Sequence, residues 1–260
     1  MTKYFYSNVK LKIMEGIWFS LYDFSFDYKG NESSFIDAEN FDWPLSIGNH
    51  FNEIKNELNQ YLVSHHLKSY FNSSMVSKKN SWRTISLMTW GVELFKNQRY
   101  FPLTTSLIKK HPQIVSASFN LLEPNSKILP HCGDTNAIYR CHLGIEIPSG
   151  LPDCGFKVKD ELRAWENGKW LIFMDAYNHE AWNNTGKERY IFLMDVMRDE
   201  FLPKKKLVCA TVLTSLFLQK RAERFNITLF KMPIIVKITA KILRPFAQLS
   251  IYFVNKLKTY

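Results

Sequence analysis

The chain has 260 residues, of which 46% are hydrophobic, 15% aromatic and 22% charged. This composition excludes an intrinsically disordered protein, and the length suits one sizeable domain with an appendage, or two small domains. The net charge of +10 is unevenly distributed along the chain. Residues 203–260 contain 12 Lys and Arg but one acidic residue, Glu223, which leaves 22 of the 34 basic and 23 of the 24 acidic residues for 1–202. We therefore expect the C-terminal segment to meet an anionic partner.

The N-terminal residues are not predicted to be a secretion signal, because Lys10, Lys12 and Glu15 interrupt their apolar stretch. The four cysteines, at positions 132, 141, 154 and 209, form no CxxC pair. Free thiols in a reducing cytoplasm are the favoured interpretation, and a disulfide framework is the alternative. The expected location is the cytoplasm, or a peripheral position at the inner face of a membrane.

Mixed helical and strand elements are expected before residue 79. Apolar residues of HFNEIKNELNQYLVSHHL (50–67) recur at helical spacing and predict one amphipathic helix. WRTISLMTWGV (82–92) and QIVSASFNLLEP (113–124) are rich in β-branched and aromatic residues and predict strands. Between them, PLTTSLIKKH (102–111) predicts a short helix with a threonine cap.

From residue 128 onward the pattern is that of short strands separated by turn-forming residues. The predicted strands are IYRCHLGIEI (138–147), KWLIFMDAY (169–177) and RYIFLMDV (189–196). Their spacing favours a sandwich or jelly roll over βαβ units. Side-chain alternation in the first of them places Arg140 and His142 on one face, and places Cys141 and Leu143 on the other, which is predicted to pack.

The polar residues that could perform chemistry are His131, Arg140, His142, His179 and Arg189. Each histidine alone is compatible with a structural role, and the cysteines beside two of them suggest a structural zinc ion as an alternative. Because Cys141 and His142 are predicted to face opposite sides of one strand, they are poorly placed to share a tetrahedral ion.

Four blocks of sequence occur in a recognisable order: ILPHCGDTN, YRCHLGIEIPSG, an aromatic-rich strand leading to HEAWNN, and ERYIFLMDV. They resemble the aspartyl/asparaginyl β-hydroxylase family of iron(II)- and 2-oxoglutarate-dependent oxygenases, whose pattern is PHxG, RxHLG, HEaWN and an arginine about ten residues on. The resemblance is specific over 129–198, covers 80–200 well and is weak over 40–80. It implies a mainly β chain built on a double-stranded β-helix, a cupin-like jelly roll, with flanking helices.

The resemblance also implies roles for the five polar residues. His131 and His179 match the two iron ligands, and neutral imidazole suits iron(II). Arg189 matches the residue that binds the far carboxylate of 2-oxoglutarate, and His142 matches the one beside its iron-chelating end. Arg140 matches an arginine that reaches cosubstrate or substrate. The implied cofactors are iron(II), 2-oxoglutarate and O₂.

The strand of Arg189 supports its role independently. Arg189 shares a face with Ile191 and Leu193 under strand alternation. If that face is the barrel interior, the charge needs an anionic partner, and a dicarboxylate held by the guanidinium would supply it. An exposed arginine at the start of a strand is the alternative.

Gly133 occupies the position at which the usual facial triad has a carboxylate, two residues after the first histidine. Some members of the family likewise lack this carboxylate and use water, which fits the glycine. Chloride in the vacant position, as in oxygenase-type halogenases, is the alternative. Asp134 lies one position too far along, so we expect a turn or cap residue there rather than a displaced ligand.

Two departures from the family pattern concern the substrate. Asn120 stands where members acting on acidic side chains often have serine, and Ile138 replaces a second arginine. One cation fewer weakens the case for an aspartyl substrate. The expected reaction is hydroxylation of an unactivated C–H bond, either in an Asp/Asn-like residue or in a membrane-lipid acyl chain. Trp182 is predicted to be a packing residue, with a substrate wall as the alternative.

A non-catalytic jelly-roll binding protein is the rival interpretation from a different functional class. Intact His131, His179 and Arg189 argue against it. Iron-dependent conversion of 2-oxoglutarate to succinate is the reaction that would distinguish an enzyme from a binding protein.

The basic C-terminal segment is predicted to be helical. In PIIVKITAKILRP, Lys237, Lys241 and Arg244 form one narrow basic stripe on an apolar helix that Pro245 is expected to end. This pattern predicts peripheral membrane contact through 204–258. The alternatives are a helical cap packed on the barrel with solvated lysines and, less favoured, nucleic-acid binding. The predicted division is 1–78, 79–202 and 203–260.

Overall fold

The computed structural model of the chain describes residues 16–23, 27–225 and 233–256. The strands in these ranges are β1 (Phe35–Ile36), β2 (Lys68–Ser69), β3 (Trp82–Thr89), β4 (Val92–Glu93), β5 (Ile114–Leu122), β6 (Ser126–His131), β7 (Ile138–Glu146), β8 (Cys154–Val158), β9 (Glu161–Arg163), β10 (Trp170–Met174), β11 (His179–Asn183) and β12 (Arg189–Met197). The α-helices are α1 (Trp43–Gly48), α2 (Phe51–Ser64), α3 (Phe95–Gln98), α4 (Pro102–Lys109), α5 (Lys205–Arg224) and α6 (Pro233–Lys256).

The strands form two antiparallel sheets that face each other. The larger sheet has the order β1-β10-β7-β12-β5-β3-β2, with β4 paired to β3, and the smaller sheet has the order β6-β11-β8-β9. From β5 to β12 the chain passes back and forth between the two sheets, which is the winding of a double-stranded β-helix. The predicted jelly roll with flanking helices is confirmed.

Alternation along β7 and β12 sorts their side chains between two environments. Cys141 and Leu143 are fully buried on the outer face of the larger sheet, in the core that helices α1, α2 and α4 complete. Arg140 and His142 point into the space between the sheets, as do Ile191 and Leu193 of β12. The face predicted to pack is confirmed.

The helices before β5 cover the outer face of the larger sheet. Helix α2 matches the predicted amphipathic helix, and it buries Ile54 and Leu58. The predicted threonine cap of α4 is wrong, because Phe101 precedes that helix and makes no side-chain cap. Instead, the carboxylate of Glu57 on α2 accepts hydrogen bonds from the backbone N–H groups of Leu103 and Thr104 at 2.7 and 3.0 Å. A carboxylate suits this helix N-terminus better than a hydroxyl because it also complements the helix dipole.

Helices α5 and α6 run antiparallel, because the start of α6 packs near Leu218 of α5 whereas Ile251 packs near Val208 and Cys209. Val208 and Val212 of α5 are buried in the same cluster as Ile138. Ile138, which stands where the family pattern can have a second arginine, is therefore part of an apolar contact. The expectation that Pro245 ends the last helix is wrong, since α6 continues to Lys256. Packing of Ile251 against the barrel-facing cluster supports the helix beyond the proline.

Among the described ranges, no helix is both long and apolar enough to cross a membrane. All four cysteines are free thiols, as predicted. Strands β1 and β2 pair with β10 and β3, so elements before residue 79 extend the larger sheet. The proposed boundaries at 78 and 203 stay a prediction.

Candidate active site

His131 and His179 lie side by side although 48 positions separate them in the chain. His131 ends β6, His179 begins β11, and the two residues are direct cross-strand partners. Their ring centroids are 4.2 Å apart. The pairing of the smaller sheet therefore creates the two-histidine site that the sequence predicts.

Backbone carbonyls fix the tautomer of both rings. Nδ1 of His131 lies 2.7 Å from the carbonyl of Leu129, and Nδ1 of His179 lies 2.8 Å from that of Tyr177. A carbonyl can only accept, so each Nδ1 carries the proton and each Nε2 is left with a lone pair. Burial lowers the pKa of His131 to about 4 and lowers the pKa of His179 well below its usual range. Both rings are therefore neutral at physiological pH, the form that binds metal ions.

Arg189 begins β12 and is 1% exposed. Its guanidinium lies 4.4 Å from the centroid of the Trp165 ring, and its Nε has no hydrogen-bond partner. Burial lowers its pKa to about 10, so the group stays charged. None of the ion pairs formed by the described residues involves this guanidinium, and a buried cation of this kind is costly without an anion.

His142 lies in the middle of β7 with 5% of its surface exposed. The indole N–H of Trp165 donates to its Nδ1 at 3.3 Å, so the ring proton resides on Nε2. That Nε2 is buried and has no partner. Burial, reinforced by the charges of Arg189 and Arg140, lowers the pKa of His142 well below its usual range. The ring is thus a neutral hydrogen-bond donor facing the cavity.

Arg140 also lines the cavity, but its charge is already balanced. Its Nε donates to Asp195 at 2.8 Å, and its Nη1 lies 2.7 Å from a carboxylate oxygen of Asp175. Burial opposes the charged form, and the two carboxylates outweigh it and raise the pKa of Arg140. This pairing leaves Arg140 less able to bind a further carboxylate than the sequence suggests.

The Asp175 carboxylate approaches His179, and its position explains Gly133. Asp175 is fully buried, with Oδ1 3.7 Å from Nε2 of His179. A Cβ atom at position 133 would lie 1.8 Å from Oδ2 of Asp175 and 2.7 Å from its backbone oxygen. Any side chain at 133 would therefore displace Asp175, and the space beside the histidines that Gly133 leaves open is filled by the Asp175 carboxylate.

One cavity unites the predicted residues. His131, Arg140, His142, His179 and Arg189 all line it. Most of its remaining wall is apolar, contributed by Trp82, Ile128, Phe156, Phe173, Ile191 and Leu193. The binding roles of the three histidines and two arginines stay predictions. In the described part of the chain, no three His, Cys, Asp or Glu side chains form a group that could hold a metal ion, so any metal here would rest on the two histidines.

Three further residues singled out in the sequence have distinct places. Asn120 lines the cavity and accepts a hydrogen bond from the Trp82 indole at 3.1 Å. Trp182 lies outside the cavity, covers Gly155 and donates to a backbone carbonyl at 2.7 Å. Asp134 points away from the histidine pair towards α5, where Ser215 lies 3.5 Å from its Oδ1.

A family model described as aspartyl/asparaginyl β-hydroxylase matches residues 48–199, more than half of the chain. The chain belongs to this family. The suspected resemblance is thereby confirmed, and the matched region contains helices α2 to α4, strands β2 to β12 and all five predicted site residues.

Relatives within this β-hydroxylase family act on different molecules. The chain is 29% identical over 203 residues to an ornithine lipid ester-linked acyl 2-hydroxylase of Rhizobium tropici, covering 76% of this chain and 69% of that protein. It is 31% identical over 134 residues to the human aspartyl/asparaginyl β-hydroxylase, covering 50% of this chain but 17% of that longer protein. Among solved structures, a prolyl-4-hydroxylase of Pseudomonas putida aligns over 58% of this chain and 87% of its own with 12% identity and a TM-score of 0.39.

Sequence reasoning missed three residues of this β-hydroxylase site. Asp175 and Asp195 balance Arg140, and Trp165 orients His142 and covers Arg189. Asp195 shares the inward face of β12 with Arg189 under strand alternation, which is a signal that could have found it. Asp175 lies outside the strands of the structure but inside the predicted strand 169–177, where alternation places it on the same face as Phe173. Trp165 lies in no predicted strand, so no periodicity pointed to it.

Proposed function

We propose that the chain is an iron(II)- and 2-oxoglutarate-dependent hydroxylase that acts on the acyl chain of a membrane lipid. The observation that carries the proposal is the presence, in one cavity, of two neutral histidines and a buried arginine without an anionic partner. The first feature fits a metal ion and the second fits an acid that carries a remote carboxylate.

The donor set suits iron(II). His131 and His179 each direct an Nε2 lone pair that is free of a proton, and two protein ligands leave coordination positions for cosubstrate and O₂. Bound there, iron supplies the oxidising chemistry that couples conversion of 2-oxoglutarate to succinate and CO₂ with hydroxylation of a C–H bond. The protein's own contribution is to hold the reactants in place and to exclude water.

The cosubstrate is held by the opposite wall of the cavity. Arg189 would form two parallel hydrogen bonds with the far carboxylate, which would balance its charge. His142 would donate its Nε2 proton to an oxygen at the chelating end, and the Trp165 indole holds the ring in the tautomer that permits this. Both donors are buried and face the cavity before cosubstrate arrives, so little reorganisation is required.

The rest of the cavity favours an acyl chain over an acidic side chain. Arg140 is already paired with two aspartates, Arg189 is assigned to the cosubstrate, and Ile138 lies in an apolar cluster under α5. No uncompensated cation remains among the described cavity residues for a substrate carboxylate. The apolar wall formed by Trp82, Phe156 and Leu193 suits a hydrocarbon chain. The rhizobial relative, whose name records an acyl 2-hydroxylase, supports the same substrate class.

A halogenase is less compatible with this site. Chloride would need the space beside the histidine pair that Gly133 leaves open, and the Asp175 carboxylate fills that space.

The test is turnover by the purified full chain with iron(II), 2-oxoglutarate and O₂. We expect succinate to form, and we expect mass spectrometry of an ornithine lipid offered as substrate to show the gain of one oxygen on an acyl fragment. His179→Ala should abolish both. A peptide containing Asp and Asn, assayed in parallel, reports on the other substrate class.

Each result separates the alternatives. Oxygen gained by the peptide and not by the lipid would overturn the acyl assignment while leaving the reaction intact. Binding of 2-oxoglutarate without succinate formation from any substrate would favour the non-catalytic binding protein. A chlorinated product in chloride buffer would favour the halogenase.

A further inference from the structure

Helix α6 presents an apolar stripe to solvent. Its outward side chains recur every three or four residues and are between half and three-quarters exposed: Ile234, Ile238, Ile242, Phe246, Leu249 and Phe253. More than half of the large hydrophobic side chains that are exposed in the described ranges belong to this one helix. Exposed apolar patches of this kind mark interaction sites on soluble proteins.

The stripe is not a core face that has missed its partner, because the opposite side of α6 is already packed. Val236 and Ala240 are 3% and 1% exposed against Leu21. Near the other end, the Asn255 amide donates to the carbonyl of Gly91 at 2.7 Å and accepts from the backbone N–H of Glu93 at 3.0 Å. Helix α6 is therefore fixed on the molecule with its apolar stripe outward.

The charges of α6 indicate what covers the stripe. Residues 233–256 contain four basic residues and no acidic one. Lys237, Lys241 and Arg244 follow one another at i, i+4 and i+7, along one flank of the stripe. A second copy of the chain packed antiparallel on this face would bring two such basic flanks together, which is unfavourable. An apolar strip with a cationic flank is the pattern of helices that lie in the interface of an anionic bilayer.

We propose that α6 docks the protein on an anionic lipid bilayer, with Ile238, Ile242 and Phe246 among the acyl chains and Lys241 at the headgroups. The packed-cap interpretation of the C-terminal segment holds for the inner face of α6 alone, since its solvent face is mainly apolar. The docking surface does not depend on the chemistry proposed for the histidine pair.

Docking would also orient the barrel. Helix α5 joins α6 to the barrel through the cluster around Val208, and its Ser215 approaches Asp134, three residues after His131. The helix pair is thus attached to the loop that follows His131. A docked α6 holds the cavity at a constant height above the bilayer.

Flotation of the full chain with vesicles tests the proposal without any turnover. We expect binding to vesicles of phosphatidylglycerol and phosphatidylcholine in equal parts, and weaker binding to phosphatidylcholine alone. The triple variant Ile238→Gln, Ile242→Gln, Phe246→Gln should bind the mixed vesicles at least about tenfold more weakly. Lys241→Glu should weaken binding several-fold in low salt and less in high salt.

The matched control places the same change on exposed apolar residues elsewhere, as Leu45→Gln, Val63→Gln, Leu162→Gln, and should bind like the unmodified chain. Equal binding by the two triple variants would overturn the proposal. The proposal would also be overturned if sedimentation showed that the unmodified chain is a dimer and the α6 triple variant a monomer, while the unmodified chain did not bind vesicles. Hydrogen exchange of the unmodified chain gives a result that does not depend on folding of the variant: vesicles should slow exchange within 233–256, and unchanged exchange there would also overturn docking.

Discussion

Gly133 and Asp175 belong to two different loops, and their backbones are joined by a hydrogen bond of 2.8 Å from the Gly133 N–H to the Asp175 carbonyl. The carboxylate of Asp175 then fills the volume in which a side chain at 133 would lie. The site therefore has a carboxylate near its histidines although the usual sequence position lacks one. Asp175 reaches that place from the turn between β10 and β11, where it also pairs with Arg140.

Gly133→Ala should destabilise the fold because its methyl group would overlap Asp175. We expect a loss of about 1–3 kcal/mol of unfolding free energy, as for other overpacked sites, together with weaker metal binding. Urea unfolding measures the first and equilibrium dialysis against iron(II) the second. Gly186→Ala is the control, since nothing lies within 4 Å of a Cβ at that position. Equal stability of the two variants would contradict the steric explanation.

Arg189→Met should have opposite effects on cosubstrate binding and on stability. Loss of the guanidinium should weaken 2-oxoglutarate binding by about 10- to 100-fold, since a charge-assisted bidentate contact is removed. Without cosubstrate, the variant should be more stable by about 1 kcal/mol, because a buried charge that lacks a partner is replaced by an apolar group. Calorimetry with and without 2-oxoglutarate measures both. A variant that loses stability and keeps its affinity for 2-oxoglutarate would show that Arg189 has a structural role. The control is Arg163→Met, which removes an exposed arginine.

Asp134 links the loop that follows His131 to helix α5, and it should make the free energy of unfolding depend on pH. Burial raises its pKa from 3.8 to about 6, partly offset by Arg140. The folded state thus holds a proton that the unfolded state releases earlier, so stability is fully present near pH 4 and falls as pH rises through 6. Asp134→Asn should remove this fall and be more stable than the unmodified chain by about 1 kcal/mol at pH 7.5, with no difference near pH 4. Urea unfolding at pH 4 and pH 7.5 measures this. If the two chains differed by the same free energy of unfolding at both pH values, the assignment would be contradicted.

Helices and strands follow the sequence closely where one face packs and the other does not. On β7 the alternation of Arg140 and His142 with Cys141 and Leu143 is visible in the sequence, and the structure keeps it. The cap of α4 was not predictable, because Glu57 lies 46 residues before the Leu103 N–H that it accepts from. Local rules see neighbouring residues and cannot register a capping group from a distant helix.

Pro245 also shows that local rules miss tertiary contacts, here in predicting where a helix ends. Local chemistry ends a helix at proline, yet α6 extends 11 residues beyond it because its inner face is packed on the molecule. Pro245→Ala should restore the missing backbone hydrogen bond and add about 1–3 kcal/mol of stability. Thermal unfolding compares it with Gln248→Ala, an exposed position on the same helix. A gain no larger than that of the control would mean that the helix has already accommodated the proline.

Across the molecule, we expect the last helices to fold together with the barrel. Ile138 of β7 and Val208 of α5 share one buried cluster. Truncation after residue 203 should therefore expose the end of the barrel and cost several kcal/mol, with aggregation as the visible result. Urea unfolding and light scattering measure both effects. An unchanged unfolding transition in the truncated chain would mean that the barrel folds alone. The control is the α6 triple variant, which alters only exposed residues and should unfold like the unmodified chain.

The sequence by itself determined the jelly roll, the family and the identity of the five polar side chains, since strand alternation and the motif PHxG…RxHLG…HEaWN are local patterns. Whether those side chains meet depended on the pairing of β6 with β11 and on the closure of two sheets around one cavity. Asp175, Trp165 and the neutralised charge of Arg140 emerged only from the folded chain. The physical reason is that charge balance and steric exclusion are properties of neighbours in space, which a pattern read along the chain does not record.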